Sequence, residues 1–350
     1  MTETEALALM TPPGRRRPHI GWGQGVLQIH VTRACDKACF GCTQGSQLAG
    51  RTEFMSPAHF EQAVQSLGFV AGDGAKVIVP GAYFGVVGTF GGNPALSPHF
   101  GAYCEILRSY VPFRQRGLWC NHPKGKGAEM RRTFNPAWSN LNVHLDQQAH
   151  DEFRRDWPEC HLVGDMTTDS RHAPPFVAMK DVIVDEAERW RLISGCDINR
   201  DWSALIGVFR GQLRAWFCEL AGAQAMLHQD EPDYPDTGVD PTADYPIDWP
   251  VPNIGVLASD ASLDTVKWWR LPMERFAAQA RKHCHDCGMP LRGYGALATD
   301  ESGTEQVSAT HASIFRPKRK GRAVEMVTTM EQLGIGRLRD TTKYTQNSKV

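Results

Sequence analysis

The 350-residue chain has no apolar run approaching the roughly 20 residues that a membrane-spanning helix needs. It also has no excess of either charge: 38 Lys and Arg stand against 39 Asp and Glu, for a formal net charge of -1. A nucleic-acid-binding role normally leaves a basic surplus, so nucleic acid is not an expected partner. No segment recurs at a fixed period, which sets solenoid architectures aside. The N-terminus lacks the order of a signal peptide, because its apolar stretch comes before Arg15-Arg16-Arg17 instead of after a positive region. The expectation is a cytoplasmic protein with no membrane association. With 41% hydrophobic and 22% charged residues, the composition is that of a globular chain. Its length suits two domains, or one large barrel with an appendage.

What the chain does have is ten cysteines. Cytosolic thiols stay reduced, so clustered cysteines point to metal binding or catalysis in preference to disulfides. Cys35, Cys39 and Cys42 form an early group, and Cys196, Cys218, Cys284 and Cys287 a late one. Cys104, Cys120 and Cys160 stand alone and read as small buried apolar residues.

Pro12, Pro13, Pro18 and several glycines make residues 1–24 an irregular lead-in. Residues 26–32 then alternate strictly: Leu27, Ile29 and Val31 on one side, Gln28, His30 and Thr32 on the other, as in a strand with two unlike faces. Ser56-Pro57 opens a helix with an apolar stripe at Phe60, Val64 and Leu67. Further strands are expected at 77–90, 117–121, 141–146 and 176–184, with a helix at about 99–110. Strands separated by helices suggest a parallel sheet. The polar alternate positions of the first and fourth strands depart from the continuous apolar runs of a sheet covered on both faces, and suit a partial barrel around a ligand. From about 186 the texture changes to helix, at 186–193 and 202–227, with aromatics at Trp202, Phe209, Trp216 and Phe217. A loop over 229–262, a helix at about 272–283 and a polar tail follow.

Cys35-x3-Cys39-x2-Cys42 lies immediately after the first strand. Three thiolates are one short of the four that close a structural zinc site or a conventional iron–sulfur cluster. In a [4Fe-4S] cube they leave one iron open, which is a catalytic arrangement. Zinc, with His30 or a distant residue as fourth ligand, is the alternative. It is disfavoured by the single two-residue spacing.

The triplet resembles the signature of the radical S-adenosylmethionine (SAM) superfamily. Gly91-Gly92-Asn93-Pro94 is similar to that superfamily's GGEP segment, and Asn142, His144 and Asp146 match polar positions of its fourth strand. The resemblance spans about residues 26–185. It departs in having Gly41 before the third cysteine, with the aromatic at Phe40, and Asn93 in place of the GGEP glutamate. No glycine-rich adenine motif is clear on the fifth strand. The resemblance implies an α/β fold, a partial (β/α)6 TIM-like barrel over 25–185. It also implies SAM bound at the open iron, with Phe40, Gly41, Gly91, Gly92, Asn93, Pro94, Asn121, Asn142, His144 and Asp146 as candidate cofactor contacts. The implied chemistry is reductive cleavage of SAM to a 5′-deoxyadenosyl radical, with a flavodoxin- or ferredoxin-type protein as reductant.

Cys196, Cys218, Cys284 and Cys287 are enough to close a second cluster without an open iron. They resemble the auxiliary-cluster domains of SPASM or Twitch type. Over 186–300 this implies a mostly helical, cysteine-containing extension with one auxiliary [4Fe-4S] cluster, and a polar tail over 301–350. A zinc site in which His283 or His285 replaces a cysteine is the rival.

Weaker signals read more plainly. Gly21 to Gly25 precedes a strand and is no dinucleotide loop. Asp169 to His172 and Arg316 to Arg322 read as solvated segments, the seven-residue recurrence of Trp202, Phe209 and Trp216 as core, and Glu219 as a lone carboxylate. The expected function is hydrogen abstraction from a small molecule, giving oxidation, epimerisation or rearrangement. No residue is assigned as catalytic. Modification of a ribosomally made peptide is a second expectation, and a non-enzymatic zinc or iron–sulfur protein a third.

Overall fold

The structure is a computed structural model. It describes residues 1–15, 25–46, 48, 52–72, 81–163, 171–172, 174–248, 264–291, 296–297, 305–314 and 324–333. The lead-in is partly helical, contrary to the irregular expectation. Helix α1 (Glu3–Leu9) starts from a complete capping box in which Thr2 and Glu5 bond reciprocally, and it buries Ala6 and Leu7. Strand β1 (Val26–Thr32) follows, buried on both faces. Ser56 caps α2 (Pro57–Ser66) by accepting the His59 N–H, with Pro57 in the first turn, as its residue types predict.

The chain then alternates β2 (Val86–Gly91), α3 (Phe100–Tyr110), β3 (Arg116–Cys120), α4 (Gly127–Thr133), β4 (Asn140–Asn142), α5 (Gln147–Asp156) and β5 (Leu162–Val163). A two-residue strand β6 (Arg171–His172), α6 (Met179–Val182), α7 (Glu186–Ser194) and α8 (Asp197–Asp201) lead to the hairpin β7 (Ser203–Phe209) and β8 (Gln212–Trp216), then α9 (Glu219–Leu227). Small pairs complete the described fold: β9 (Asp244–Pro246) with β10 (Thr265–Lys267), β6 with β11 (Ala296–Leu297), and β12 (Glu305–Val307) with β13 (Val324–Met326). Helix α10 (Ala277–Gln279) runs into a π-turn at Ala280–Cys284.

The central sheet has the order β5-β4-β3-β2-β1-β7-β8. All neighbours are parallel except the β7–β8 hairpin. The α/β class expected from the sequence is therefore present, as a mostly parallel sheet flanked by helices. Leu27, Ile29 and Val31 of β1 and Phe60, Ala63 and Val64 of α2 belong to one continuous core. No helix among the described residues is long and apolar enough to cross a membrane.

Three expectations need correction. Residues 176–184 are not the fifth strand: Val177 N–H bonds back to Pro174, and the chain turns into α6. The fifth strand of the parallel run is Leu162–Val163. The fourth strand stops at Asn142, because His144 and Leu145 take positive φ of 48° and 59° and end the extended run. Residues 202–227 are not one helix. Arg210 and Gly211 both adopt positive φ, as a two-residue hairpin turn demands, and fold 203–216 into β7–β8 before α9 begins. The expected strand at 77–90 begins at Val86, its first half lying outside the described residues. The segments 21–24, 169–170 and 316–322 also lie outside them.

Candidate metal centres

In an open parallel sheet, ligand sites form beyond the carboxyl ends of the strands. The early cysteine loop sits there, following β1 directly, and the next three strand ends are each bonded to it. At the end of β2, Gly92 N–H donates to Thr32 O at 2.8 Å and Asn93 N–H to Ala34 O at 2.7 Å. This approach is possible only without side chains. A Cβ on Gly91, whose φ is +143°, would lie 2.2 Å from the Thr32 carbonyl oxygen, and one on Gly92 would lie 2.3 Å from that of Ala34. After β3, Asn121 donates from Nδ2 to Cys35 Sγ at 3.2 Å. Lys124 pairs with Asp36 at 2.6 Å. After β4, Asp146 caps α5 through the Ala149 N–H and pairs with Lys37 of the cysteine loop.

Asn93 is fully buried at the centre of this arrangement. Its Nδ2 donates to His122 O at 3.1 Å and reaches Asp36 Oδ1 at 3.4 Å, while Oδ1 accepts from Ala95 N–H and Cys120 Sγ. The asparagine that stands where the resembled motif has glutamate is thus committed to holding neighbouring loops. Pro94 opens the 3₁₀ turn that follows it. Asn142, His144 and Asp146 do not line one face of a strand. Asn142 accepts the His144 N–H at 3.3 Å, His144 lies in the turn, and Asp146 is committed to capping and to Lys37.

Electrostatics follow from burial. Desolvation pushes the Cys35 thiol up to about 11, and proximity to Cys42 adds to the rise. Burial raises Cys42 as well. Burial opposes ionisation of Asp36, but Lys124 outweighs it and leaves the carboxyl below its ordinary range; Lys37 does the same for Asp146. On the polar side of β1, His30 is buried and stays neutral down to about 3, through desolvation and the Arg33 guanidinium. Arg33 is itself engaged by Met226 O and Glu53. Phe40 is buried. Gly41 N–H donates to Glu305 Oε2 at 3.3 Å, bringing a buried carboxylate beside Cys42. Sequence reasoning missed Glu305, which sits in a stretch that reads as a polar tail and carries no local signal.

The late cysteines come together around one cavity of ≈ 30 Å³. Cys196, Cys218, Cys284 and Cys287 all line it, with His283, Met10, Ile193 and Phe217 among its other walls. Four elements deliver them: the start of α8, the turn between β8 and α9, the π-turn, and the loop after it. Burial raises the Cys287 thiol well above its usual value, with Cys196 and Cys218 contributing. His283 faces the same cavity. Its Nε2 meets Thr237 Oγ1 at 2.7 Å, and burial holds the ring neutral down to about 3. His285 turns elsewhere, onto Arg189 at 3.0 Å and edge-on to Trp190. Glu219 is buried and bonded to Ser203, so it ties α9 to the hairpin. Among the described residues, no three His, Cys, Asp or Glu side chains converge as they would around a single metal ion.

No protein-family model matches the chain, and no curated protein matches it. Among solved structures, it is similar to BtrN in complex with AdoMet and 2-DOIA, with a TM-score of 0.34 and 13% identity, over 60% of this chain and 83% of that one.

Proposed function

We propose that the protein is a radical SAM enzyme, with Cys35, Cys39 and Cys42 holding a [4Fe-4S] cluster and the parallel strands forming a partial barrel around its site. The observation that carries this reading is the bonding of three further strand ends to the CxxxCxxC loop. A loop so fixed is a prepared binding site at the carboxyl edge of the sheet, not a surface connection. The donor chemistry fits: three thiols and no fourth ligand within the motif suit a cube with one open iron.

Held there, such a cluster would supply one-electron reduction of SAM, the chemistry that gives a 5′-deoxyadenosyl radical for hydrogen abstraction. The chain's own residues position and protect. The Asn121 amide donates to the Cys35 sulfur, which favours the thiolate form. The Gly91-Gly92 backbone and the buried Asn93 fix the loop against β2 and β3. Phe40 and Phe90 are buried near the loop and help to keep water out. His30 is held neutral and is a candidate for hydrogen-bonding substrate without adding charge. The substrate is proposed to be a small molecule.

The four late cysteines are proposed to hold one auxiliary [4Fe-4S] cluster, supported by their shared cavity. Anaerobic reconstitution with iron and sulfide counting tests both assignments. The reading predicts about eight irons per chain, two four-iron cubes. Zinc alone would overturn it.

A further inference from the structure

Residues 305–314 are fastened to the body of the protein by polar contacts along their length. Glu305 accepts the Gly41 N–H, Ser308 bonds Phe176 O and the Ala178 N–H, and Thr310 bonds Asp181 through both N–H and hydroxyl. Val307 and Ile314 bury beside Phe176. The innermost fastening is a chain of three hydrogen bonds. His311 Nε2 meets Asp286 O at 2.6 Å, His311 Nδ1 meets His228 Nε2 at 3.2 Å, and His228 Nδ1 meets Glu231 Oε1 at 2.8 Å. Both imidazoles are almost wholly buried, and Tyr234 stacks flat on His228 at 4.7 Å.

The ends of this chain are a carbonyl oxygen and a carboxylate, and an ionised carboxylate and a carbonyl only accept. Three links need three protons, whereas two neutral imidazoles supply two. Taken singly, burial favours neutral rings, lowering His228 and pushing His311 down to about 4, and His228 helps to keep Glu231 ionised. That assignment would leave two lone pairs facing each other at one of the three links, whichever tautomers the rings adopt. One proton shared along the chain removes the conflict, and burial refuses a second. The other charged or titratable groups facing the pair are Tyr234, Lys282, Asp286 and His283. Asp286 is paired with both Lys282 and Lys180.

We propose that His228, His311 and Glu231 form a one-proton latch that fastens the 305–314 segment, and with it Glu305 at Gly41, to the rest of the protein. The latched state binds one proton. Once the segment lifts, His311 is free and His228 keeps Glu231 and Tyr234. Together the two rings bind two protons in acid and none in alkali, at or a little above the ordinary value of about 6.5, because ionised Glu231 still faces His228. Docking is therefore firmest close to that pH and weakens on both sides, by up to about tenfold per pH unit for each proton of difference.

Hydrogen exchange of peptides covering 305–314, from about pH 5 to about pH 9, tests the latch once intrinsic rates are corrected and α3 peptides serve as reference. The expected result is maximal protection near about 6.5 with a fall on either side. Glu231→Gln is the discriminating variant, because its amide N–H donates to His228 Nδ1 and completes the chain with two neutral rings. Its alkaline fall should vanish while the acid fall steepens. Glu231 is partly exposed at the surface, so this change leaves the core intact. Wild-type protection that stays level into alkali, or the same alkaline fall in Glu231→Gln, overturns the proposal.

Discussion

Gly91 and Gly92 are where single atoms decide the cysteine site. A methyl group at either position meets backbone carbonyl oxygens at 2.2 and 2.3 Å, and Gly91 also sits at φ +143°. Gly91→Ala is expected to cost about 1–3 kcal/mol from backbone strain alone, before the overlap is counted. Gly101→Ala, on α3 with open space around its Cβ, should instead stabilise by up to about 1 kcal/mol. Urea denaturation of the two variants checks both signs. His30 gives a pH test. Its imidazole is neutral in the folded protein down to about 3, whereas the unfolded chain takes up that proton near 6.5. Stability at this residue is complete above about 6.5 and falls as pH drops through that window, by about 1.4 kcal/mol per unit. His30→Gln should flatten the acid limb of a stability–pH curve. At this scale the motif cysteines were legible in the sequence, because their spacing is local. Asn93's role was not, since its four partners come from positions 36, 95, 120 and 122 and only the fold assembles them.

Among elements, β1 and α2 could be read directly: strict alternation for one, a Ser-Pro start with a three-to-four-residue stripe for the other. The sequence predicts a helix where the β7–β8 hairpin stands, because Trp202, Phe209 and Trp216 recur every seven residues, which a helix also satisfies. In the fold, Phe209 and Trp216 are buried and Trp202 is exposed, so the recurrence marks no common face. The apolar run Ala204–Phe209 followed by Arg210-Gly211 carried the better signal, a buried strand entering a tight turn. Gly211→Val should cost about 1 kcal/mol or more, since a branched residue at φ +80° is strained even in open space. A shift of the thermal midpoint relative to wild type measures it. Strand β4 was overextended because Asn142, His144 and Asp146 alternate as strand residues do, while the positive φ of His144 and Leu145 has no signature in that pattern.

Across the whole molecule, the two cysteine sites are built by different means. The first is a contiguous loop clamped by strand ends; the second gathers residues up to 91 positions apart (from Cys196 to Cys287) around one cavity. The grouping of the late four was legible from number and spacing, but the wall that brings them together was not, because α8, α9 and the π-turn meet only in the fold. The composition of 301–350 predicts a polar tail, yet residues 305–314 dock beside both sites. The account predicts that Cys284→Ser/Cys287→Ser removes about half of the iron, leaving about four per chain. The first cluster should remain intact in this variant, as judged by its electron paramagnetic resonance signal after reduction.

The most direct test of the central claim is the 5′-deoxyadenosine formed when the anaerobically reconstituted protein is incubated with SAM and a strong reductant. The intact protein should produce it, and Cys35→Ala should not. Production by Cys35→Ala at the wild-type level, or none by the intact, iron-loaded protein, would contradict the account.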